Sequence, residues 1–364
     1  MDEYYMNRAL KEAKKGRGRT SPNPCVGAVI VKNGKPVATG YHKKAGTPHA
    51  EIHALQKAGE HARGAILYVT LEPCSHTGKT PPCCRAIVDA GITQVVIGML
   101  DPNPLVNGGG VRYLQDHGVE VAGPVLEKKC FELNRPFIKM ITTGLPFVVM
   151  KAGLSLDGKL NFQQGMGGAV TGNEVKRKVH RMRDQYDAIL VGIETVMVDN
   201  PALTTRIPGK KGRDPVRIIL DSHLRIDERA TVLKQKSAAP TWIFCLDSAD
   251  PVKVARLRDR GVHIFFVGPG EQGLDLAEVL KRTAERGCLS ILVEGGGHIH
   301  GSFLKSKLVD RACLFYAPVF AGNNGVSTVI GLTAKDRKGA VSLTGTMIRR
   351  IGEDVMITGD IVYR

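Results

Sequence analysis

Apolar positions in the first half of the chain switch between a helical period and alternation. In "MDEYYMNRALKEAKKG", Met6, Ala9, Leu10 and Ala13 mark one face of an amphipathic helix. "CVGAVIVKNGKPVATG" is two β-rich runs around Asn33-Gly34, which predicts a hairpin. "PHAEIHALQKAG" predicts a helix with Thr47 as N-cap and Pro48 at its first position. "AILYVTLEP" predicts a buried strand, and "PPCCRAIVDAG" a helix closed by a left-handed Gly91. "TQVVIGMLDPNP" predicts a further strand. A glycine-rich loop, a helix around Val111–His117 and the short strand "VEVAG" follow. This order predicts a sheet with helices on its faces.

A break falls near Met140–Phe147, and a second αβ pattern begins at "PFVVMKAGLSLDGKL". Strands are predicted at "DAILVG", "PVRIILD", "PTWIFCL", "VHIFFVG", "LSILVEGGG" and "RACLFYAPVFAG". With 364 residues, the chain is divided here into two domains, 1–144 and 145–364. The halves share no motif, so duplication is not expected.

Hydrophobic content is 43%, enough for a full core, and no run of apolar residues is long enough for a membrane-spanning helix. Asp2 and Glu3 stand where a signal peptide carries basic charge, so a cytoplasmic protein is expected. In that setting the 8 cysteines point to metal or catalytic use and not to disulfides. Only Cys74, Cys83 and Cys84 cluster; the others sit among apolar neighbours. Net charge is +16, but there is no basic tail or arm. A soluble basic enzyme that attracts anionic small molecules is expected, with neither nucleic acid nor membrane as partner. A homo-oligomer is expected.

The stretch "LEPCSHTGKTPPCC" supplies Cys74 and Cys83, and "PHAEIH" supplies His49 with Glu51 two residues on. This is the H-x-E … P-C … C order of zinc deaminases, with eight residues between the cysteines. Three ligands and one open position suit catalytic zinc, whose bound water is acidified to about pH 7. Glu51, not a ligand, is placed to take the proton from that water and deliver it to a leaving amine. Adjacent helical residues point about 100° apart, so Cys83, in the first turn after Pro82, is preferred as ligand. Cys84, with Ile87 and Val88 at i+3 and i+4, reads as a packed thiol. His76 is a loop histidine touching substrate or, in a second reading, a fourth ligand that closes the site. His42 and His53 are weaker candidates.

These motifs, with "PNPCVGAVIV", "DPNPLVNGGG", "LSLDGK", "DAILVG", "ETVMVDNPALTTR", "LVEGGG" and "LVDRACLFYAPVFAG", resemble the bifunctional riboflavin-biosynthesis deaminase–reductase family over nearly the whole chain. The resemblance implies a cytidine-deaminase-like α/β/α sandwich followed by a dihydrofolate-reductase-like α/β domain. It implies zinc-dependent deamination of a phosphorylated diaminopyrimidinone ribosylamine, then reduction of the ribosyl group to ribityl with NADPH. The alternative is a nucleic-acid or nucleoside zinc deaminase with an unrelated second domain, or a zinc-stabilised nucleic-acid-binding protein. The second αβ half and an aromatic content of 5% argue against both.

Carried over by motif, Gly296, Gly297, His298, Ile299, His300, Gly301 and Ser302 contact the cofactor, with Gly153, Ala169, Thr171, Thr195, Asp199 and Ser222 in the same cleft. Gly167, Arg183, Leu203, Arg206 and Glu294 hold the substrate, the arginines through its phosphate. Lys151 and Asp157 are further candidates in "MKAGLSLDGK". His300 stands where a dinucleotide fingerprint would have its third glycine, so that fingerprint is absent. Lys176, Arg177 and Arg225 are candidates for the 2′-phosphate of NADPH. Two departures stand out. Ala169 replaces a tryptophan carried by many relatives, the single tryptophan being Trp242, and the "NGGG" loop at Asn107 lacks a basic residue between its glycines.

Overall fold

Asn33 and Gly34 both adopt left-handed backbone, with φ of 51° and 69°. They turn strand β1 (Gly27–Lys32) into its antiparallel neighbour β2 (Lys35–Tyr41). In this computed structural model, residues 1–75, 82–104, 106 and 108–364 are described. His76 and Asn107 lie outside them. The chain divides into two units, Met1–Gly144 and Leu145–Arg364.

In the first unit β1 also pairs antiparallel with β3 (Ile66–Val69). Strands β4 (Gln94–Ile97) and β5 (Glu120–Ala122) then add in parallel, giving the order β2-β1-β3-β4-β5. Helix α1 (Asp2–Ala13) buries Tyr5 together with the predicted stripe Met6, Ala9, Leu10 and Ala13. Helix α2 (Ala50–Ala58) lies directly on β2. A Cβ at Gly40 would stand 2.2 Å from the Ala50 carbonyl oxygen, so only glycine permits this approach. Helices α3 (Cys83–Asp89) and α4 (Gly109–Asp116) follow as predicted, and Gly91 closes α3 with φ 70°.

Two expectations need correction. Helix α2 begins at Ala50, and His49 is its N-cap, with ψ 170°. Thr47 instead donates to the Lys44 carbonyl at 2.6 Å. With that hydroxyl turned back to Lys44 and the helix starting two residues later than expected, Thr47 does not cap it. The second correction is an unanticipated helix, α5 (Glu127–Thr143), with Pro136 inside it. It buries Cys130, Asn134, Phe137 and Ile138, a helical spacing. Asn134 clips it to the start of β1: its Oδ1 accepts from the Cys25 amide at 2.8 Å and its Nδ2 donates to the Cys25 carbonyl at 3.1 Å.

The second unit is a nine-stranded sheet. Its parallel part comprises β6 (Phe147–Leu154), β7 (Ala188–Gly192), β8 (Val216–Leu220), β9 (Thr241–Cys245) and β10 (His263–Phe266). After a small hairpin, β11 (Pro269–Gly270) and β12 (Gly273–Leu274), come β13 (Ser290–Val293) and β14 (Arg311–Tyr316). Two strands not anticipated from the sequence, β15 (Ser342–Ile351) and β16 (Asp354–Val362), form an antiparallel hairpin on one edge. The order is β10-β9-β8-β7-β13-β6-β14-β16-β15. Side chains alternate between layers: Ala188 and Leu190 join one core, Ile189 and Val191 another. Helices α6 (Asn173–Arg183), α7 (Ile193–Asp199), α8 (Pro251–Asp259), α9 (Leu276–Ala284) and α10 (Gly297–Lys305) complete the unit. Among the described residues no helix is long and apolar enough to cross a membrane.

Candidate active sites

In the first unit two helix starts face one loop. His49 caps α2, Glu51 lies in its first turn, and Cys83 opens α3. Cys74 follows the end of β3. The ligand atoms of His49, Cys74 and Cys83 all lie within 4.8 Å of one another. His49 Nδ1 is 3.2 Å from Cys83 Sγ and 3.7 Å from Cys74 Sγ. The Cys83 amide donates to Cys74 Sγ at 3.4 Å. The Cys83 thiol, with help from His49, holds the Cys74 thiol at about 4 against burial. The same contact and burial push Cys83 up. A ready thiolate, a second thiol and an imidazole form a donor set that fits zinc.

Glu51 is 3% exposed, and among the described residues its Oε2 has no hydrogen-bond partner. Burial, then the Cys74 thiolate, raise its pKa to about 7. A buried carboxyl with an orphaned oxygen beside three ligand atoms is suited to proton transfer. Cys84 points elsewhere: it is fully buried and its thiol donates to the Pro73 carbonyl at 3.3 Å. His42 lies between Asn23 Nδ2, 3.1 Å from its Nε2, and the Pro48 carbonyl, 3.2 Å from its Nδ1. Its ring meets that of His49 edge-on at 5.3 Å.

Sequence reasoning passed over Glu72. Its buried carboxylate accepts the amides of Gly110 and Val111 on Oε1, at 2.9 and 3.1 Å. Its Oε2 accepts those of Asp101 and Gly108, at 3.2 and 3.1 Å. An anion at the start of α4 is favourable there, and it fastens the glycine-rich loop to the strand end that carries Cys74. The signal was present: an acidic residue closing an apolar strand has to find donors.

In the second unit the best-formed cluster is Glu294, just beyond β13. Arg183 donates Nε to its Oε1 at 2.9 Å and Nη2 to its Oε2 at 3.0 Å, and Lys151 Nζ reaches Oε2 at 2.8 Å. Burial alone would raise the Glu294 pKa; the two cations overcome it and hold the carboxyl well below its usual range. The fork of Arg183, expected on a substrate phosphate, is closed on Glu294, and Nη1 donates to the Thr204 carbonyl at 3.2 Å. Arg206 is exposed, and its amide donates to His180 Nδ1 at 3.2 Å. Leu203 is buried with φ 52°.

The remaining carried-over residues fall into pairs. A Cβ on Gly153 would lie 3.1 Å from Thr171 Oγ1, and one on Gly167 would lie 2.4 Å from Asp199 Oδ1. Gly296 faces Thr195, while Ser222 and Ser302 adjoin the β11–β12 hairpin at Gly273 and Gln272. Ala169 is exposed. Within α10, His298 is exposed and Ile299 packs on Gly192 and Gly295. Gly297, His300 and Gly301 turn inward. Cβ atoms on the two glycines would strike the Ser327 and Ile330 carbonyl oxygens at 2.2 and 1.8 Å. The His300 ring, fully buried, meets the Thr328 carbonyl at 3.0 Å. The two glycines and His300 thus pack α10 closely on residues 327–330. Asp157 is engaged too: it accepts the Ala321 and Gly322 amides at 2.9 and 2.8 Å. Arg177 pairs with Glu174, and Arg225 with Glu194.

Comparison with known proteins bears on both units. Residues 1–99 match the cytidine and deoxycytidylate deaminase zinc-binding region, and residues 146–357 match the RibD C-terminal domain. The riboflavin biosynthesis protein RibD of Bacillus amyloliquefaciens is 43% identical over 373 residues, covering 100% of both chains. The chain belongs to the bifunctional riboflavin-biosynthesis deaminase–reductase family. The solved RibD of Acinetobacter baumannii superposes with a TM-score of 0.89 at 32% identity, covering 99% of each chain. The Thermotoga maritima deaminase/reductase gives 0.85 at 35% identity, covering 100% of this chain and 99% of that one. As a member of this family, the chain is a bifunctional enzyme with a zinc-binding deaminase region and a reductase domain. The zinc-binding region spans His49, Glu51, Cys74 and Cys83, and the reductase match spans Lys151, Arg183 and Glu294.

Proposed function

We propose that the unit Met1–Gly144 hydrolyses the exocyclic amine of a diaminohydroxyphosphoribosylaminopyrimidine. The unit Leu145–Arg364 then reduces the resulting 5-amino-6-(5-phosphoribosylamino)uracil with NADPH. The deaminase and reductase activities on these two compounds are the ones named for the Thermotoga maritima relative. The observation that carries the reading is the triad His49, Cys74 and Cys83 with the buried carboxyl of Glu51 beside it, one oxygen of which has no partner among the described residues.

In the first step water replaces ammonia at a ring carbon: a C–O bond forms and a C–N bond breaks. His49, Cys74 and Cys83 would hold zinc, which would supply an activated water. Glu51 takes one proton from the water and passes it to the departing amine, and a pKa near neutrality lets it do both. In the second unit NADPH would supply the hydride that, with one proton, turns the ribosyl group into a ribityl chain. Glu294, just past the C-terminal end of parallel strand β13, where such sheets bind ligands, holds Lys151 of β6 and Arg183 of α6. Gly153, Ala169, Thr171, Thr195, Asp199 and the exposed edge of Gly296–Ser302 serve the cofactor. Gly167, Leu203 and Arg206 adjoin the substrate.

The substrate is a small phosphorylated molecule and the setting is the cytoplasm, where zinc thiolates stay reduced. The chain works as a homo-oligomer; Met347 and Ile348 stand 48% and 70% exposed on edge strand β15, a surface suited to cover by a second copy.

The test is Glu51→Gln. Zinc content is expected to stay near one per chain while ammonia release slows by at least about 100-fold. NADPH-dependent reduction of the deaminated intermediate is expected to be unchanged. Near-normal ammonia release from the zinc-loaded variant would remove the proton-shuttle role, and loss of reduction would refute independent sites.

A further inference from the structure

The C-terminal hairpin was not expected from the sequence, and none of the carried-over site residues lies on it. Its tip nevertheless meets the start of α6. Asp354, the first residue of β16, is 3% exposed, and its Oδ2 accepts the Gly172 amide at 2.8 Å. A buried carboxylate is costly unless donors meet it. Here it stands at the N-terminus of an 11-residue helix whose own N-cap, Gly172, has no side chain to offer. The rest of the tip fits the same place. Gly352 turns the hairpin with φ 67°, and a Cβ on it would lie 2.4 Å from Glu174 Cγ. Met356 packs in one cluster with Val175, Val179 and Met182 of α6.

The segment just before this tie is the one that needs holding. Residues 162–169 are exposed in an unbroken run. The segment is then anchored by Gly167 against Asp199, Thr171 against Gly153, and Gly172 on Asp354. Beyond Gly172 the helix carries His180, which accepts the Arg206 amide, and Arg183, which holds Glu294. One carboxylate, 182 residues away in sequence, therefore fixes the point where the exposed segment becomes the helix.

We propose that Asp354 is a positioning residue of the reductase: its carboxylate sets residues 167–172 in the conformation that receives the nicotinamide cofactor. The proposal rests on the reading of Ala169 and Thr171 as cofactor contacts. A cap that served folding alone would alter stability and leave cofactor affinity untouched.

The test uses the full-length zinc-loaded enzyme with Asp354→Ala and Asp354→Asn. The alanine variant is expected to raise KM for NADPH about tenfold, the scale of one charge-assisted hydrogen bond. Its kcat should change by less than about twofold, and deamination in the same preparation should be unaffected. The asparagine variant keeps an acceptor and should restore KM to within about twofold of the parent. Hydrogen exchange should quicken across residues 167–172 in the alanine variant only. Unchanged exchange there overturns the tie itself and leaves the cofactor reading standing. Faster exchange with an unchanged KM overturns the positioning role together with the cofactor reading of Ala169 and Thr171. If the alanine variant does not accumulate folded, Asp354→Ser, which shortens the acceptor's reach, is read by the same measurements.

Discussion

Replacing Glu294 by Gln should destabilise the reductase unit strongly. The side chain of Glu294 is 5% exposed, those of Arg183 and Lys151 14% and 15%, so the substitution strands two largely buried cations. Breaking one buried ion pair costs about 3–5 kcal/mol. Both cations keep some path to solvent, and long side chains use such paths, which places the expected loss near the lower bound, about 3 kcal/mol. Lys151→Met removes one cation and leaves the bidentate Arg183 pair intact, so it should cost less, about 1.5–3 kcal/mol. The double variant should be more stable than Glu294→Gln alone, because one stranded charge has gone. Trp242 is the single tryptophan and sits buried in β9, so its fluorescence in urea reports this unit selectively. The effect also has a pH signature. The folded pKa of Glu294 lies below the unfolded value, so the unfolded state binds more protons in acid. The gap between parent and Glu294→Gln should be full at pH 7 and shrink as pH falls below about 4.3. A loss under about 1 kcal/mol at pH 7, or a double variant less stable than the single, would refute the reasoning.

Two further outcomes are expected. Cys83→Ala should lose zinc while Cys84→Ala keeps it, measured as metal per chain after desalting; the reverse would show that the thiol now donating to Pro73 is the ligand. NADPH should give a higher kcat/KM than NADH at one ionic strength, since the chain carries +16 net charge and no acidic residue of a dinucleotide fingerprint; equal values would refute the preference.

What the sequence disclosed, and what it hid, follows sequence separation. The deaminase chemistry is written in short stretches. The dyad His49-x-Glu51 sits at the start of α2, and Cys74 and Cys83 are only nine positions apart in sequence, so spacing was enough to propose the set. The hairpin at Asn33-Gly34 and the Gly91 cap were legible for the same reason: local backbone chemistry decides them. Helix α5 escaped because Pro136 reads as a boundary, although Cys130, Asn134, Phe137 and Ile138 keep a helical stripe through it. Strand β15 escaped because residues 344–350 are exposed in succession and show no inward alternation. The reductase site was the least legible part. Arg183 and Glu294 are 111 residues apart, and Gly172 and Asp354 are 182 apart. No local pattern says that an arginine will meet a glutamate and not a phosphate. Family resemblance supplied the names of these positions. Only the fold shows that the fork of Arg183 is closed on Glu294, and that two glycines of "GGGHIHG" give way to the Ser327 and Ile330 carbonyls. A glycine-rich turn before a helix is thus ambiguous by nature. The same missing Cβ admits a phosphate or a crossing backbone, and the neighbouring segment decides which.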